Sequence, residues 1–539
     1  MNISAKKLLA SMLVAASILS AAGCGSGSDS SGSTASSTGS SAASDTKPAI
    51  SEVTAVRPIP DDLKFPEGDS LENNIWTRQY ESDLGIKLKY KWMTPVAQYE
   101  QKLNISIASG DIPDIFQVNS VQLKQLVEDD QLADLTGIYE KNASEYTKNV
   151  LNQDGNALLS ATFDGKLLAI PKMGSGLGQT NVLWVRTDWL KKLNLQEPKT
   201  MDDVIKIAQA FTENDPDGNN KKDTYGFGIN KDLWGMFASL EGFFNGYGAY
   251  PNTWIEDGSG NLVNGNIMPE MKTALASLKD MFSKGYIDPE FGVKDSFKVS
   301  ANVGEGKIGM LYGLFWNMGW LSDAKKANPD MTWKPFGIVG TKEGGALAQV
   351  PFPVSTYYVV NKKAANPEAI IEMLNLQLEK CFGETAEPGK YNVDQAGNPI
   401  FEYPLIYSDA QVKVSKALES KDTSALNAEE KGYYDQIQAY RGGDLSGWPT
   451  EMMYGPEGSL AVINGYATNK KVYDNRYFGP PTSTMTQKDA TLSQIQLQTF
   501  TDIIMNGDIN QFEKYVTDWK SLGGDAITSE VNKWNSERK

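Results

Sequence analysis

The sequence predicts an α/β protein built in two or more lobes, and three observations carry that reading. The chain has 539 residues, more than one hydrophobic core accommodates. Short β-prone runs alternate with helical stretches, the signature of helices layered on sheets. Only two cysteines, Cys24 and Cys381, are present, so packed cores rather than a disulfide framework must hold the fold.

The chain opens on a segment that does not belong to that body. Lys6 and Lys7 precede an apolar run over residues 8–22, shorter than the ~20 residues that span a bilayer and ending in small residues. This is an export signal over residues 1–23. Ala21-Ala22-Gly23-Cys24 resembles the bacterial lipobox, which makes Cys24 the expected lipidation site and palmitate an expected acyl group. Residues 24–49 are the lipidated cysteine and a Gly/Ser-rich tether with a reach of about 25 Å.

From residue 50 the elements follow in order. Residues 53–56 and 86–92 (IKLKYKW) read as strands, the second half-buried by its alternation. Leu71, Ile75 and Trp76 suggest a helix between them, and residues 99–108 another, closed by Gly110. Gly110 to Val118 is a turn running into a buried strand, followed by a helix carrying Leu123, Leu126 and Val127. Residues 163–171 read as a hairpin turn and strand, and residues 182–185 as a strand leading to a helix from Asp188. Val204, Ile207, Ala208 and Phe211 share one helical face, as do Ala274, Leu275, Leu278 and Phe282. Asn366-Pro367-Glu368 is expected to start a helix, with asparagine as the cap and proline at the first position. Phe512, Val516 and Trp519, then Ile527, Val531 and Trp534, mark two final helices.

Composition excludes several chemistries. The chain has no histidine, which removes Ser-His-Asp triads, Cys-His dyads and histidine-based zinc sites. Its net charge of −16 argues against nucleic acid, which needs clustered cations; loss of the signal, with Lys6 and Lys7, makes the body more acidic still. Glycoside hydrolysis by paired carboxylates survives the exclusion. No phosphate-cradling loop follows a strand at the required position, and Gly174-Ser-Gly176-Leu-Gly178 reads as a loop or hinge.

Two constellations remain. Asp215, Asp217, Asn219, Lys221 (through its carbonyl) and Asp223 stand at positions 1, 3, 5, 7 and 9 of an EF-hand-like loop, with Gly226 in place of the bidentate glutamate at 12. Alternate oxygens on a tight turn suit one hard cation, so a structural Ca2+ is expected there. The second is aromatic: Trp316, Asn317 and Trp320 crowd one segment, with Trp184, Trp234, Trp448 and Tyr357 elsewhere. Flat rings stack on sugar faces while neighbouring amides bond hydroxyls.

Taken together, residues 108–114 (ASGDIPD), 215–226, 285–291 (GYIDPEF), 306–310 (GKIGM) with Trp316, 479–482 (GPPT) and 512–534 resemble the extracellular solute-binding lipoproteins of carbohydrate ABC importers, family 1, the large LplA-type group. The resemblance implies a two-lobed periplasmic-binding-protein-like (type II) α/β fold with a hinge and an interlobe cleft. It divides the body into residues 50–168 and 345–425 for one lobe and 169–344 and 426–539 for the other. It implies a monomer, lipid-anchored on the extracellular face of the cell membrane, that binds an oligosaccharide and passes it to an ABC permease without catalysis. Ligand contacts are then expected from Trp316, Trp320, Asn317, Trp184, Trp234, Trp448 and Tyr357, with Asp111 and Gln117 near a strand end. The alternatives are an exported glycoside hydrolase and a sugar receptor feeding a signalling partner.

Overall fold

The computed structural model describes residues 50–60, 63–174, 176–391, 397–402 and 407–537, without the side chains of Tyr407 and Ser408. The expected signal, the lipidation site Cys24 and the tether lie outside these residues.

Eleven strands build the scaffold in chain order: β1 Ser51–Ile59, β2 Ile86–Pro95, β3 Ile115–Val118, β4 Ala169–Met173, β5 Val182–Arg186, β6 Phe237–Ser239, β7 Met310–Gly313, β8 Trp333–Phe336, β9 Ala348–Val350, β10 Val354–Val360 and β11 Val472–Asp474. The first lobe is a five-stranded sheet in the order β2-β1-β3-β10-β4. β1 runs parallel to β2 and β3, whereas β10 is antiparallel to both β3 and β4. Helices α1 Ile75–Gln79, α2 Val96–Ser109 and α3 Ser120–Glu128 supply its parallel crossovers. Each starts or stops for a local reason. Asn74 and Asn119 close capping boxes on α1 and α3, and Gly110 ends α2 in the left-handed region at φ 71°.

The second lobe is antiparallel, in the order β8-β5-β7-β6. Its central strands are buried at every position because both faces are covered. Leu183, Val185, Met310 and Tyr312 pack into one core, whereas Val182, Trp184 and Leu311 pack into another. α4 Met201–Glu213 and α5 Pro269–Ser283 cover the first face. α6 Ala369–Phe382 returns to the first lobe. α7 Tyr407–Ser420, α8 Ala428–Arg441 and α9 Ser459–Thr468 cover the second face of the second lobe, and α10 Ser483–Ile504, α11 Gln511–Trp519 and α12 Asp525–Glu537 complete the first.

Four corrections to the sequence reading follow. β4 pairs with β10 in the first sheet, so the first crossing comes after residue 173 rather than 168. Residues 348–350 pair with β11 and belong to the second lobe. α7 also lies in the second lobe, because Ala410, Val414 and Leu418 pack with Trp448 and Leu460. The expected cap at Asn366 is not formed either. α6 begins at Ala369, and Asn366 Nδ2 instead donates to Ser51 Oγ at 3.0 Å.

The chain passes between lobes after Gly174, at residues 351–353, and again between Glu402 and the helix that starts at Tyr407. Gly174 N–H donates to the Pro353 carbonyl, so the first two crossings run side by side. A Cβ at Gly174 would lie 2.9 Å from that oxygen, which only glycine avoids. This is the hinge.

Candidate functional site

Where parallel strands end, their carboxyl ends leave a crevice that side chains can line. In the first lobe a cavity of about 300 Å³ sits there, against Arg57 of β1, Gln117 of β3, Lys172 of β4, Tyr358 of β10 and Asn398. Arg57 is only 8% exposed, and its Nη1 has no hydrogen-bond partner. Lys172 leads directly into the hinge, and burial pushes its ammonium pKa down while the charge of nearby Glu402 pushes it up. Glu402 is fully buried. One oxygen accepts from Met173 N–H at 2.9 Å, the other has no partner, and burial holds its carboxyl well above the usual range.

On the second-lobe side of the same crossings lies a cavity of about 280 Å³ whose polar lining is chiefly amides (Gln179, Asn181, Asn252, Gln349 and Asn475, with Glu241), set beside apolar Met236, Leu314 and Pro351. Asn252 and Asn475 also line a neighbouring cavity of about 260 Å³ that holds Asn264, Asn266, Trp254 and Tyr477. The amides are fixed by each other and by backbone. Asn181 Oδ1 accepts from Ser239 Oγ at 2.7 Å, Asn245 Nδ2 donates to Gln349 Oε1 at 2.8 Å, and Asn475 Oδ1 accepts from Trp254 N–H at 3.0 Å. Burial pushes the Glu241 carboxyl up, and its Oε2 has no partner. An amide offers donor and acceptor side by side without charge, which suits hydroxyl groups that are both.

Of the expected ligand residues, the structure brings Gln117 to the first-lobe cavity, where its Nε2 donates to Thr356 Oγ1 at 2.7 Å. Trp234 does not line the second-lobe cavity; it precedes Gly235 and Met236, which do, and packs on Phe244 at 5.5 Å with its Nε1 unpartnered. Trp316 is half-buried and 5.5 Å from Trp320. Four others are committed to packing instead. Trp184 is fully buried and donates from Nε1 to the Leu314 carbonyl at 3.2 Å. Trp448 is 1% exposed, with Lys325 Nζ 5.8 Å from its ring centre. Tyr357 is buried, its hydroxyl 2.9 Å from Ser160 Oγ. Asn317 is buried and accepts from Leu314 N–H at 2.7 Å, shaping the turn after β7. Trp320 lies parallel to Phe297 at 4.7 Å and to Phe237 at 5.6 Å, so its faces already have aromatic neighbours. Asp111 precedes the amino end of β3, opposite the cavity, and pairs with Lys91. Sequence reasoning missed Arg57, Lys172 and the amides. Arg57 and Lys172 sit late in their strands, a position signal that was available; the asparagines carry no pattern.

In the loop from Asp215 to Asp223, Asp215 accepts from the N–H groups of Gly218, Asn219 and Asn220 at 3.0–3.1 Å, which winds the turn. Asn219 Nδ2 donates to Asp217 at 2.7 Å and to Asp223 at 3.1 Å, so a polarised N–H group bridges two carboxylates. Burial and the adjacent Asp215 carboxyl push Asp217 up. The donor set of three carboxylates and an amide oxygen suits a hard cation. Among the described residues, however, no three acidic, cysteine or histidine side chains are already arranged around one point.

The family model described as bacterial extracellular solute-binding protein matches residues 64–380. Lipoprotein LipO of Bacillus subtilis is 25% identical over 492 residues, covering 87% of this chain and 90% of that protein. A solved protein described as an HMO-binding, ABC-transporter-associated solute-binding protein of Bifidobacterium longum infantis superposes with a TM-score of 0.60 at 17% identity, over 91% of this chain and 99% of that one. The Streptococcus pneumoniae ABC-transporter substrate-binding protein FusA, solved as an EF-hand mutant with fructo-nystose, superposes with a TM-score of 0.56 at 16% identity, over 90% and 99%. These likenesses fix the two-lobed fold.

Proposed function

Because the chain belongs to the bacterial extracellular solute-binding proteins, we propose that it captures an oligosaccharide between its lobes and delivers it to an ABC permease. The observation that carries the sugar reading is the amide lining of the second-lobe cavities beside the hinge. Neutral amides held in place by one another bond hydroxyls without having to desolvate a charge. No catalysis is invoked. Ligand bridging the two half-sites favours the closed arrangement, and the permease reads that arrangement.

Two further parts complete the reading. Asp215, Asp217, Asn219, the Lys221 carbonyl and Asp223 would hold a Ca2+, which supplies positive charge to an acidic loop and stiffens it. Lipidated at Cys24, the protein acts as a monomer at the outer face of the membrane, near its permease. Titration calorimetry over a panel of neutral and acidic oligosaccharides tests the core of this. At least one should bind at micromolar or tighter affinity, and Gln349→Ala should weaken it about tenfold, the cost of one to two hydrogen bonds to a buried ligand. Silence across the panel, with the protein folded, refutes the receptor reading.

A further inference from the structure

The first-lobe cavity holds a charge imbalance that the neutral-sugar chemistry of the second lobe does not explain. Arg57 is 92% buried by its 8% exposure, and among the described residues no carboxylate lies within ion-pair distance of it. Two other arginines that a ligand might have used are taken. Arg186 is paired with Asp188 at 2.6 Å and Arg441 with Glu451 at 2.8 Å, each through two hydrogen bonds. A buried cation without a carboxylate partner is costly, and a guanidinium keeps its charge throughout the physiological range.

A second donor lines the same cavity. Asn398 is 4% exposed, and its orientation is fixed because Oδ1 accepts both from the Tyr80 hydroxyl at 2.6 Å and from Ile400 N–H at 3.0 Å. Its Nδ2 is thereby left as a buried donor with no partner. Lys172 adds a second basic group on the hinge side. Glu402 accepts from Met173 N–H and, among the described residues, lies outside ion-pair distance of Arg57, so Arg57 remains without a carboxylate partner. The opening is rimmed by exposed Pro60 and by Val96, which is 58% exposed.

We propose that this cavity is an anionic subsite which takes the carboxylate of a uronate residue, making the ligand an acidic oligosaccharide. The inference rests on the receptor reading above and names its substrate class. The planar guanidinium offers two parallel N–H groups to a carboxylate, the Asn398 amide adds a third donor, and a volume of about 300 Å³ admits a sugar ring at the lower end of ligand-pocket sizes. The amide-lined cavities of the second lobe then hold the hydroxyls of the neighbouring units.

The test is calorimetry on the full-length chain in detergent, at fixed calcium, with trigalacturonate, neutral galactotriose and inorganic phosphate as probes. Trigalacturonate should bind at least tenfold more tightly than galactotriose, and salt should erode the difference. Arg57→Met should cost the acidic ligand tenfold or more and galactotriose less, so that the preference for the acidic ligand is lost. If Arg57→Met does not fold, Asn398→Asp serves instead. It places a carboxylate in the cavity, so it should raise the melting temperature and abolish the preference for the acidic ligand. Galactotriose binding as tightly as trigalacturonate, or either variant leaving the preference intact, overturns the subsite while the receptor reading stands. Phosphate competing as well as trigalacturonate shows a free-anion site and overturns the sugar assignment. If neither trisaccharide binds, the uronate subsite is wrong, and the receptor reading falls only if the wider panel is silent too.

Discussion

At the scale of single residues, burial separates two kinds of tryptophan that the sequence presents alike. Trp184 and Trp448 are fully packed, whereas Trp234 and Trp316 are half-exposed, the first preceding Gly235 and Met236 of the second-lobe cavity and the second on the turn after β7. Trp448→Ala should therefore destabilise the protein by about 3–5 kcal/mol in denaturant unfolding, partly by uncovering Lys325, which is 2% exposed beneath it. Ligand affinity of the folded fraction should not change; a lost affinity with unchanged stability would contradict the packing role. Glu402 gives a second prediction. Its folded pKa is raised by burial, so the folded state keeps a proton that the unfolded chain releases. Stability must then fall as pH rises above the ordinary carboxylate range, and stop falling once Glu402 ionises in the folded state. Glu402→Gln keeps an acceptor for Met173 N–H and should flatten that slope in melting curves between about pH 5 and 8. None of this was legible from residue type. A tryptophan near glycines and a tryptophan in a core read the same, and isolated asparagines such as Asn181, Asn252 and Asn475 have no period to betray them.

At the scale of elements, the sequence reads well wherever a local signal decides the structure. The strand at 86–92, the helical face of Val204, Ile207, Ala208 and Phe211, and the stop at Gly110 all appear where periodicity and chirality place them. The failure at Asn366 has a physical cause: its side chain is drawn to Ser51 of β1, a tertiary bond with a separation of 315 residues. The loop from Asp215 to Asp223 lies between these cases. Its turn forms from its own side chains, yet Asp215 and Asp217 repel, and Asn219 turns its N–H group toward Asp217 and Asp223. Calcium should remove that repulsion. In a thermal-shift assay, calcium at about 100 times its Kd should stabilise the protein by about 2.7 kcal/mol over chelator. Asp217→Asn should abolish that gain while leaving the chelator-treated protein as stable as before, or more so. An equal response to magnesium, or none to calcium, would show the loop to be only an Asx-rich turn.

For the whole molecule, the alternation of strands and helices revealed the layers but not which lobe each segment joins. Lobe membership depends on pairing across long separations, such as β10 with β4 and β9 with β11, and no local pattern reports it. The same long-range arrangement decides how the lobes meet. On one side, hydrogen bonds from Thr482 and Thr484, together with the charge of Lys124 from α3, hold the second-lobe Glu530 carboxyl down against burial. On another, Asp154 of the first lobe is pushed up by burial and then by Asp474 of β11. Across the lobes Lys124 thus attracts Glu530 at long range while Asp474 repels Asp154, and the ligand must decide the balance. Saturating oligosaccharide should contract the protein, seen as a smaller radius of gyration in small-angle scattering. Lys124→Glu should oppose that contraction and weaken binding by about two- to fivefold, the range of one solvent-screened charge interaction, with the effect fading at high salt. Asp474→Asn should act in the opposite sense. If both variants shift affinity in the same direction, the two contacts do not govern closure and the hinge at Gly174 and Pro353 alone sets it.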